Sequence, residues 1–385
     1  MSRILVVSNY GWTVFNFRRN LIQELQRAGH DVFVQTEYDG YEQRLGLEMR
    51  HVIPLDIDRK GVNPLHDLRT LFSIRRGIKI AKTDICLFFT IKPVVYGGIA
   101  AMLSHIPFIS NVTGLGTAFI GRTWLRTIAK ALYKVGLARA ARIFFQNSDN
   151  MRLFLSGGLT KAARTTLLPG SGVDLSHFSP RMRSDRRQQF VFLLAARLLW
   201  DKGVREFVEA ARLVKSEFAN TEFRLIGFLD VQNPSAIPRA QVAQWTAEGV
   251  VRYLGATDDM ASTYAEADCI VLLSYREGVP RTLLEAASMG LPVITADAVG
   301  CRDAVEDGIT GFLCRQRDVQ DLADKMRQML RLPADERLAM GYAGRKKMLR
   351  EFDERIVISN YLEAIGQIEG GHDVIGSCLG NGNGR

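Results

Sequence analysis

Cysteine is scarce in this chain and poorly spaced for chemistry. Five occur in 385 residues, Cys86, Cys269, Cys301, Cys314 and Cys378, with no CxxC and no Cys/His pair at ligand spacing. That spacing argues against a zinc site and a disulfide framework, so the thiols are expected to be reduced and mostly buried. Long apolar runs are missing too, since nothing approaches the roughly 18 uncharged apolar residues that a membrane span requires. The chain enters the strand-like ILVVSN straight after its first residues, and the expectation is a cytosolic protein without a leader. No Walker-type GxxxxGK[ST] is found, and the nearest approach to GxGxxG, Gly114-Leu115-Gly116-Thr117-Ala118-Phe119, ends in Phe where Gly or Ala is needed. Histidines number only six, and His105, just ahead of the run PFISNV, reads as structural.

What remains is ordinary globular material, unevenly charged. Apolar residues make up 47% and charged residues 24%, which excludes disorder as the main state, and the length suits two or three domains. Residues 1–200 carry 28 Lys/Arg against 13 Asp/Glu, a net +15, whereas residues 201–385 carry 22 against 28, a net −6. The basic half faces something acidic: nucleic acid, an anionic membrane surface or a phosphorylated substrate all fit.

Short apolar runs alternate with helix-period segments, at 4–9, 31–36, 84–90, 107–112 and 142–147. After the Arg-rich stretch SPRMRSDRRQQ the pattern restarts at 190–196, 222–227, 250–255, 269–275 and 292–297. Runs apolar on nearly every residue, not every second one, suit parallel strands covered by helices on both faces. The fold class is therefore α/β, with two doubly wound Rossmann-like domains whose strand-end loops line a central cleft. Domain limits are expected at 1–170 and 171–350, with a C-terminal helix at about 352–368 packing back on the first domain and a disordered tail over 370–385.

Three loops carry candidate chemistry. In Arg276-Glu277-Gly278-Val279-Pro280-Arg281 a helix starts at about Arg281, so free backbone N–H groups and the positive end of a helix dipole point at whatever lies beyond the strand. Glu277 reads as a residue of an exposed turn, with Glu285 one helical turn further in, about 6 Å along the axis at 1.5 Å per residue. The pair reads either as two contacts for one ligand or as a helix cap and a solvated surface residue. In the second loop, Ala196 to Gly203, Arg197 stands at a strand end and Lys202 at a helix start, as a diphosphate clamp requires or as two plain surface cations. The first βα loop, Ser8 to Trp12, has Gly11 where backbone can approach a ligand closely.

Taken together, REGVPRTLLEAASMGLPVI, ARLLWDKGVREF, VVRYLG and RLIGF resemble the retaining, metal-independent glycosyltransferases of family 4, which have the GT-B architecture. The resemblance runs from SNYGWTVFNFR through TGLGTAFI to the last helix, and extends to the bacterial transferases that build O-antigen and capsule. It implies that Arg197 and Lys202 hold the donor diphosphate, that Glu277, Gly278 and Val279 hold the donor sugar, and that Glu285 takes the ribose hydroxyls. Gly227, Phe228, Tyr253 and Leu254 would line the base pocket, with Gly11 near the diphosphate. Lys92, Thr113, Gly114 and Gly116 would face the acceptor. Many relatives place a histidine in the loop that here reads Thr90-Ile91-Lys92-Pro93, which leaves Lys92 to stand in its place. The implied partners are a nucleotide-sugar donor and a lipid-linked saccharide acceptor at the inner face of the cytoplasmic membrane, with no nucleic acid and no cofactor.

Asp56-Ile57-Asp58 has the DxD spacing of metal-dependent transferases of another fold, but such short matches are mostly surface accidents, and no metal is expected. Arg122, Arg126, Lys130 and Lys134 recur every four residues between Gly121 and Arg142, beside Leu125, Ile128, Ala129, Leu132 and Val135, with Trp124 and Tyr133 at the boundaries. On a helix this is a basic stripe flanking an apolar one, which reads either as an ordinary helix packed on the sheet or as a membrane-facing one. Two other functions share parts of the pattern, a UDP-N-acetylglucosamine 2-epimerase and a non-enzymatic basic peripheral membrane protein.

Overall fold

Runs buried on both faces become parallel strands here, and the alternation within each strand feeds two separate helix layers. The computed structural model describes residues 1–58, 63–115, 123–181, 189–229 and 233–379. The chain divides into two units, Met1–Leu168 with Val357–Arg385, and Pro169–Ile356.

The first unit holds a seven-stranded sheet of β1 (Arg3–Tyr10), β2 (Asp31–Glu37), β3 (Val52–Pro54), β4 (Ile85–Phe89), β5 (Phe108–Val112), β6 (Arg142–Phe145) and β7 (Thr165–Leu167). Its order is β3-β2-β1-β4-β5-β6-β7, with every pairing parallel. The helices of this unit are α1 (Gly11–Arg27), α2 (Pro64–Ala81), α3 (Gly98–Leu103), α4 (Thr123–Gly136) and α5 (Ser148–Ser156). Successive side chains of a strand point to opposite faces. Leu5 and Val7 of β1 accordingly pack with Leu71, Ile74 and Ile78 of α2, whereas Ile4 and Val6 pack with Val14, Leu21 and Ile22 of α1. Each such buried aliphatic contributes roughly 1.5–3 kcal/mol relative to exposure.

The second unit repeats the plan with β8 (Phe190–Ala195), β9 (Thr221–Ile226), β10 (Arg252–Tyr253), β11 (Cys269–Leu272), β12 (Val293–Ala296) and β13 (Gly311–Cys314), in the order β10-β9-β8-β11-β12-β13. Its helices are α6 (Val204–Lys215), α7 (Arg239–Ala247), α8 (Met260–Ala265), α9 (Arg281–Ser288), α10 (Val319–Arg331) and α11 (Ala334–Lys347). The final helix, α12 (Glu354–Leu379), places Val357, Ile358 and Tyr361 in the core of the first sheet. In each sheet the first strand lies between strands reached in opposite directions, β1 between β2 and β4, and β8 between β9 and β11. Those reversals open the crevices where parallel sheets bind ligands.

Several elements depart from expectation. Strands β3, β7 and β13 are three or four residues long, too short to stand out as apolar runs. The stretch 370–379, expected as disordered tail, is helical to Leu379, because an established helix adds a hydrogen bond for each residue it fixes.

Candidate active site

The reversal between β8 and β11 brings together the two loops singled out in the second unit. After β8 the chain turns tightly, Leu199 N–H donating to the Arg197 carbonyl at 2.8 Å, and a single 3-10 turn over Trp200–Lys202 leads to Gly203. Gly203 has φ +71°, and a Cβ there would lie 2.3 Å from Leu273 Cβ, so only glycine lets α6 begin so close to β11. The Lys202 ammonium then reaches across to the Glu277 carboxylate, with 11% and 20% of the two side chains exposed. Glu277 is thus not the exposed turn residue expected. Burial alone would push the Glu277 carboxyl up; the Lys202 charge and hydrogen bond, with Arg197 adding charge, bring it below the ordinary glutamate value. Arg197 itself is exposed.

Gly278 and Val279 carry the loop to Pro280, which precedes α9 in extended conformation. The loop is fixed from several sides: Glu277 N–H donates to the Val299 carbonyl at 3.0 Å, and Thr282 Oγ1 donates to the Ala195 carbonyl at 3.0 Å. Glu285, expected to be free for a ligand or solvated, is neither bare nor exposed. Its Oε1 lies 3.1 Å from Arg281 Nε, and its Oε2 accepts from the Tyr264 hydroxyl at 3.0 Å. Burial dominates here, so its carboxyl is raised despite the Arg281 charge. Two glutamates eight residues apart are therefore pushed in opposite directions by their surroundings.

The remaining members of this group meet at the ends of β9 and β10. Gly227 has φ +150°, and a Cβ would come within 1.7 Å of the Ala196 carbonyl oxygen. Its own carbonyl accepts from Tyr253 Oη at 2.8 Å, and its N–H donates to the Gly255 carbonyl at 2.8 Å, while Leu254 N–H donates to the Leu225 carbonyl at 2.9 Å. Phe228 is 41% exposed beside them, its carbonyl accepting from Leu198 N–H at 3.2 Å.

In the first unit the expected residues are placed differently. Gly11 is buried at the start of α1, where a Cβ would lie 2.5 Å from Asp39 Oδ1. Lys92 follows β4, but its ammonium lies 2.6 Å from Asp67 Oδ1, and Tyr96 Oη donates to Asp67 Oδ2 at 2.6 Å. Thr113 and Gly114 sit half-buried after the neighbouring β5, and Gly116 lies outside the described residues. Asp56 is exposed, Asp58 contacts His66 at 3.3 Å, and no cluster of three or more potential metal ligands occurs among the described residues. Residue spacing alone missed Tyr264, Asp39, Asp67 and Tyr96, each a long-range partner; the Arg281–Glu285 contact was readable as an i, i+4 pair.

Known proteins resemble this chain in both units. Residues 181–347 match the model of "Glycosyl transferases group 1", and residues 3–147 match that of "Glycosyl transferase 4-like". The chain is 29% identical over 378 residues to the N,N'-diacetylbacillosaminyl-diphospho-undecaprenol alpha-1,3-N-acetylgalactosaminyltransferase of Campylobacter jejuni, covering 94% of this chain and 97% of that protein. It is 24% identical over 279 residues to the Escherichia coli UDP-Gal:alpha-D-GlcNAc-diphosphoundecaprenol alpha-1,3-galactosyltransferase, covering 69% and 71%. Anabaena HepE in complex with UDP and glucose has the same fold, with TM-score 0.78, 18% identity and coverage of 95% and 100%. With a family match on each unit and two parallel sheets of the GT-B kind, the chain belongs to the group 1 glycosyltransferases.

Proposed function

We propose that this glycosyltransferase moves a hexose or N-acetylhexosamine from a UDP-linked donor to a polyprenyl-diphosphate-linked saccharide, with retention at the anomeric carbon and without a metal ion. The observation that carries the reading is the Lys202–Glu277 bridge at the crevice between β8 and β11, with Arg197 beside it. In this reading Arg197 and Lys202 take the donor diphosphate, and their charge grows in value as the leaving diphosphate develops in the transition state. Glu277, holding Lys202 in place, and the backbone of Gly278 and Val279 at the amino end of α9 take the donor sugar. Glu285, oriented by Tyr264 and Arg281, accepts from ribose, and Gly227, Phe228, Tyr253 and Leu254 flank the base. Lys92, Thr113 and Gly114 belong to the acceptor side, where Lys92 acts as a member of a Lys92–Asp67–Tyr96 network and not as a lone cation. A UDP-linked donor agrees with the UDP named for HepE and the Escherichia coli relative, and a lipid-linked acceptor with the two curated relatives.

Such an acceptor brings the enzyme to a bilayer, yet no helix among the described residues is long and apolar enough to cross one. Helix α4 offers peripheral contact instead. Its inner face is Tyr133, buried and not at the boundary as expected, with Ala129 and Leu132. Trp124, Ile128 and Val135 are each about half exposed, next to exposed Arg126 and Lys134; Arg122 lies outside the described residues. On α2, which contributes to the same core cluster, Leu65, Leu68 and Phe72 are also exposed, among exposed Arg69, Arg76 and Lys79. Apolar side chains interleaved with cations suit anionic headgroups, each cation contributing about 1 kcal/mol near the surface. The functional reading is tested by a panel of nucleotide sugars with short-chain polyprenyl-diphosphate sugars: UDP release that depends on the acceptor supports it, and release indifferent to every acceptor opposes it.

A further inference from the structure

Helix α11 presents two unlike faces. Met340, Gly341, Gly344 and Lys347 are buried, and a Cβ on Gly341 would lie 2.0 Å from the Gly290 carbonyl oxygen, so one side is pressed against the turn that follows α9. On the other side Leu338, Tyr342 and Leu349 are 68%, 62% and 48% exposed. Positions i, i+4 and i+11 share one face of a helix, and the backbone stays helical past Lys347 at Met348. The outward face of a surface helix is normally polar. Here it carries three large apolar side chains, none of which joins the hydrophobic clusters of the described residues.

The charges on this face run from acid to base. Asp335 and Glu336 are exposed in the first turn of α11, Lys346 in its last turn and Arg350 just beyond it. Neither carboxylate has an ion-pair partner among the described residues. Asp335, Tyr342 and Lys346 lie at i, i+7 and i+11, in a row beside Leu338 and Leu349. The Lys346 ammonium stands 4.5 Å from the centre of the Tyr342 ring.

A surface of this kind is complementary to itself. In a twofold contact residue i meets j while j meets i. Turned about an axis through Tyr342, the row meets its copy running the other way, with Asp335 near Lys346 on both sides and Leu338 near Leu349. The offset left in each pair is three residues, about 4.5 Å at 1.5 Å per residue, which a lysine side chain spans. Tyrosine at the centre, ringed by charges, is the usual make-up of an interface between proteins. An anionic bilayer matches less well, because Asp335 and Glu336 would face its headgroups.

We propose that α11 is the contact between two copies of this chain, packed antiparallel through Leu338, Tyr342 and Leu349 and framed by Asp335–Lys346 pairs. The proposal stands apart from the transferase reading above. Sedimentation velocity of the full chain at low salt tests it. The parent should pass from monomer to dimer between about 1 and 100 μM, and Tyr342→Glu should stay monomeric over that range while unfolding like the parent at low concentration. Lys346→Asp should weaken dimerisation by about 10-fold, since an acid then faces Asp335 twice, and by less in high salt. Adding Asp335→Lys should bring the affinity back to within about 3-fold of the parent. This exchange separates pairing between copies from support of the helix itself. A base at the amino end and an acid at the carboxyl end oppose the helix dipole, so an effect confined to α11 would leave the double variant worse than the single one. A parent that is monomeric throughout, an unchanged dimer in Tyr342→Glu, or no recovery in the double variant overturns the proposal. Assemblies growing beyond two copies overturn it as well, and anionic-vesicle binding by a monomeric parent that Tyr342→Glu abolishes would give this face to lipid instead.

Discussion

Replacing Lys202 by Met separates the two duties assigned to that side chain, because the stability effect can be reversed and the catalytic one cannot. Removing one partner of a buried ion pair costs about 3–5 kcal/mol, and of a surface pair about 0–1 kcal/mol. With 11% and 20% of the two side chains exposed, the Lys202–Glu277 pair lies nearer the buried limit, and a loss of about 2–3 kcal/mol is expected. For a unit of this size that corresponds to a fall in Tm of roughly 4–12 °C. Adding Glu277→Gln to Lys202→Met removes the stranded carboxylate, so thermal or urea unfolding should show the double variant more stable than Lys202→Met alone, with a coupling of roughly 1–3 kcal/mol. Turnover should not return, remaining roughly 10- to 1000-fold down, since the cation at the leaving diphosphate is still missing. The pH dependence follows from the lowered Glu277 carboxyl. The pair's contribution is present at and above the ordinary glutamate value of 4.5 and is lost as pH falls through the lower folded value, so parent and Lys202→Met should converge in acid. Additive effects of the two substitutions, or recovery of activity in the double variant, would refute this reasoning.

Glu285→Gln should raise donor KM more than it lowers kcat, because a ribose contact is made equally in ground and transition states; with its carboxyl raised in the folded chain, the stability difference should shift toward the variant as pH rises above 4.5, measurable by urea titration at several pH values. Gly227→Ala places a Cβ 1.7 Å from the Ala196 carbonyl oxygen at φ +150°, so unfolding of the second unit should show a loss of at least about 3 kcal/mol. Transfer should continue in excess EDTA, since in the proposed reading Arg197, Lys202 and the amino end of α9 supply positive charge to the leaving group; a strict magnesium or manganese requirement would oppose that reading. Arg126→Glu with Lys130→Glu should weaken salt-sensitive binding to anionic vesicles while sparing UDP binding, and equal vesicle binding would remove α4 from the membrane face.

How much of this was legible in the sequence depended on distance along the chain. The starts of α6 at Val204 and α9 at Arg281 were readable because apolar periodicity and a preceding Gly or Pro are local signals. Lys202 and Glu277 were each marked by their loops, but their contact spans 75 positions and exists only because β8 and β11 are neighbours, a fact of topology. The same holds for Tyr264 on Glu285 and for Asp67 on Lys92, where a charge that looked available is already engaged. Gly11 stood out as a glycine in a βα turn, but its neighbour Asp39 is placed there by no local pattern. The run VVRYLG anticipated a strand of six residues where the ladder forms over Arg252–Tyr253 only, since apolar content signals burial more surely than pairing.

The most direct test of the central claim is equilibrium titration of UDP into the parent chain and into Arg197→Ala. Arg197 is exposed at the end of β8, so its removal should leave folding intact and affect only what lies against it. The parent should bind UDP, and Arg197→Ala should bind it at least about 10-fold more weakly, as loss of one charge-assisted phosphate contact requires. Equal affinity in both would place the diphosphate away from this loop and contradict the assignment of the crevice between β8 and β11 as the donor site.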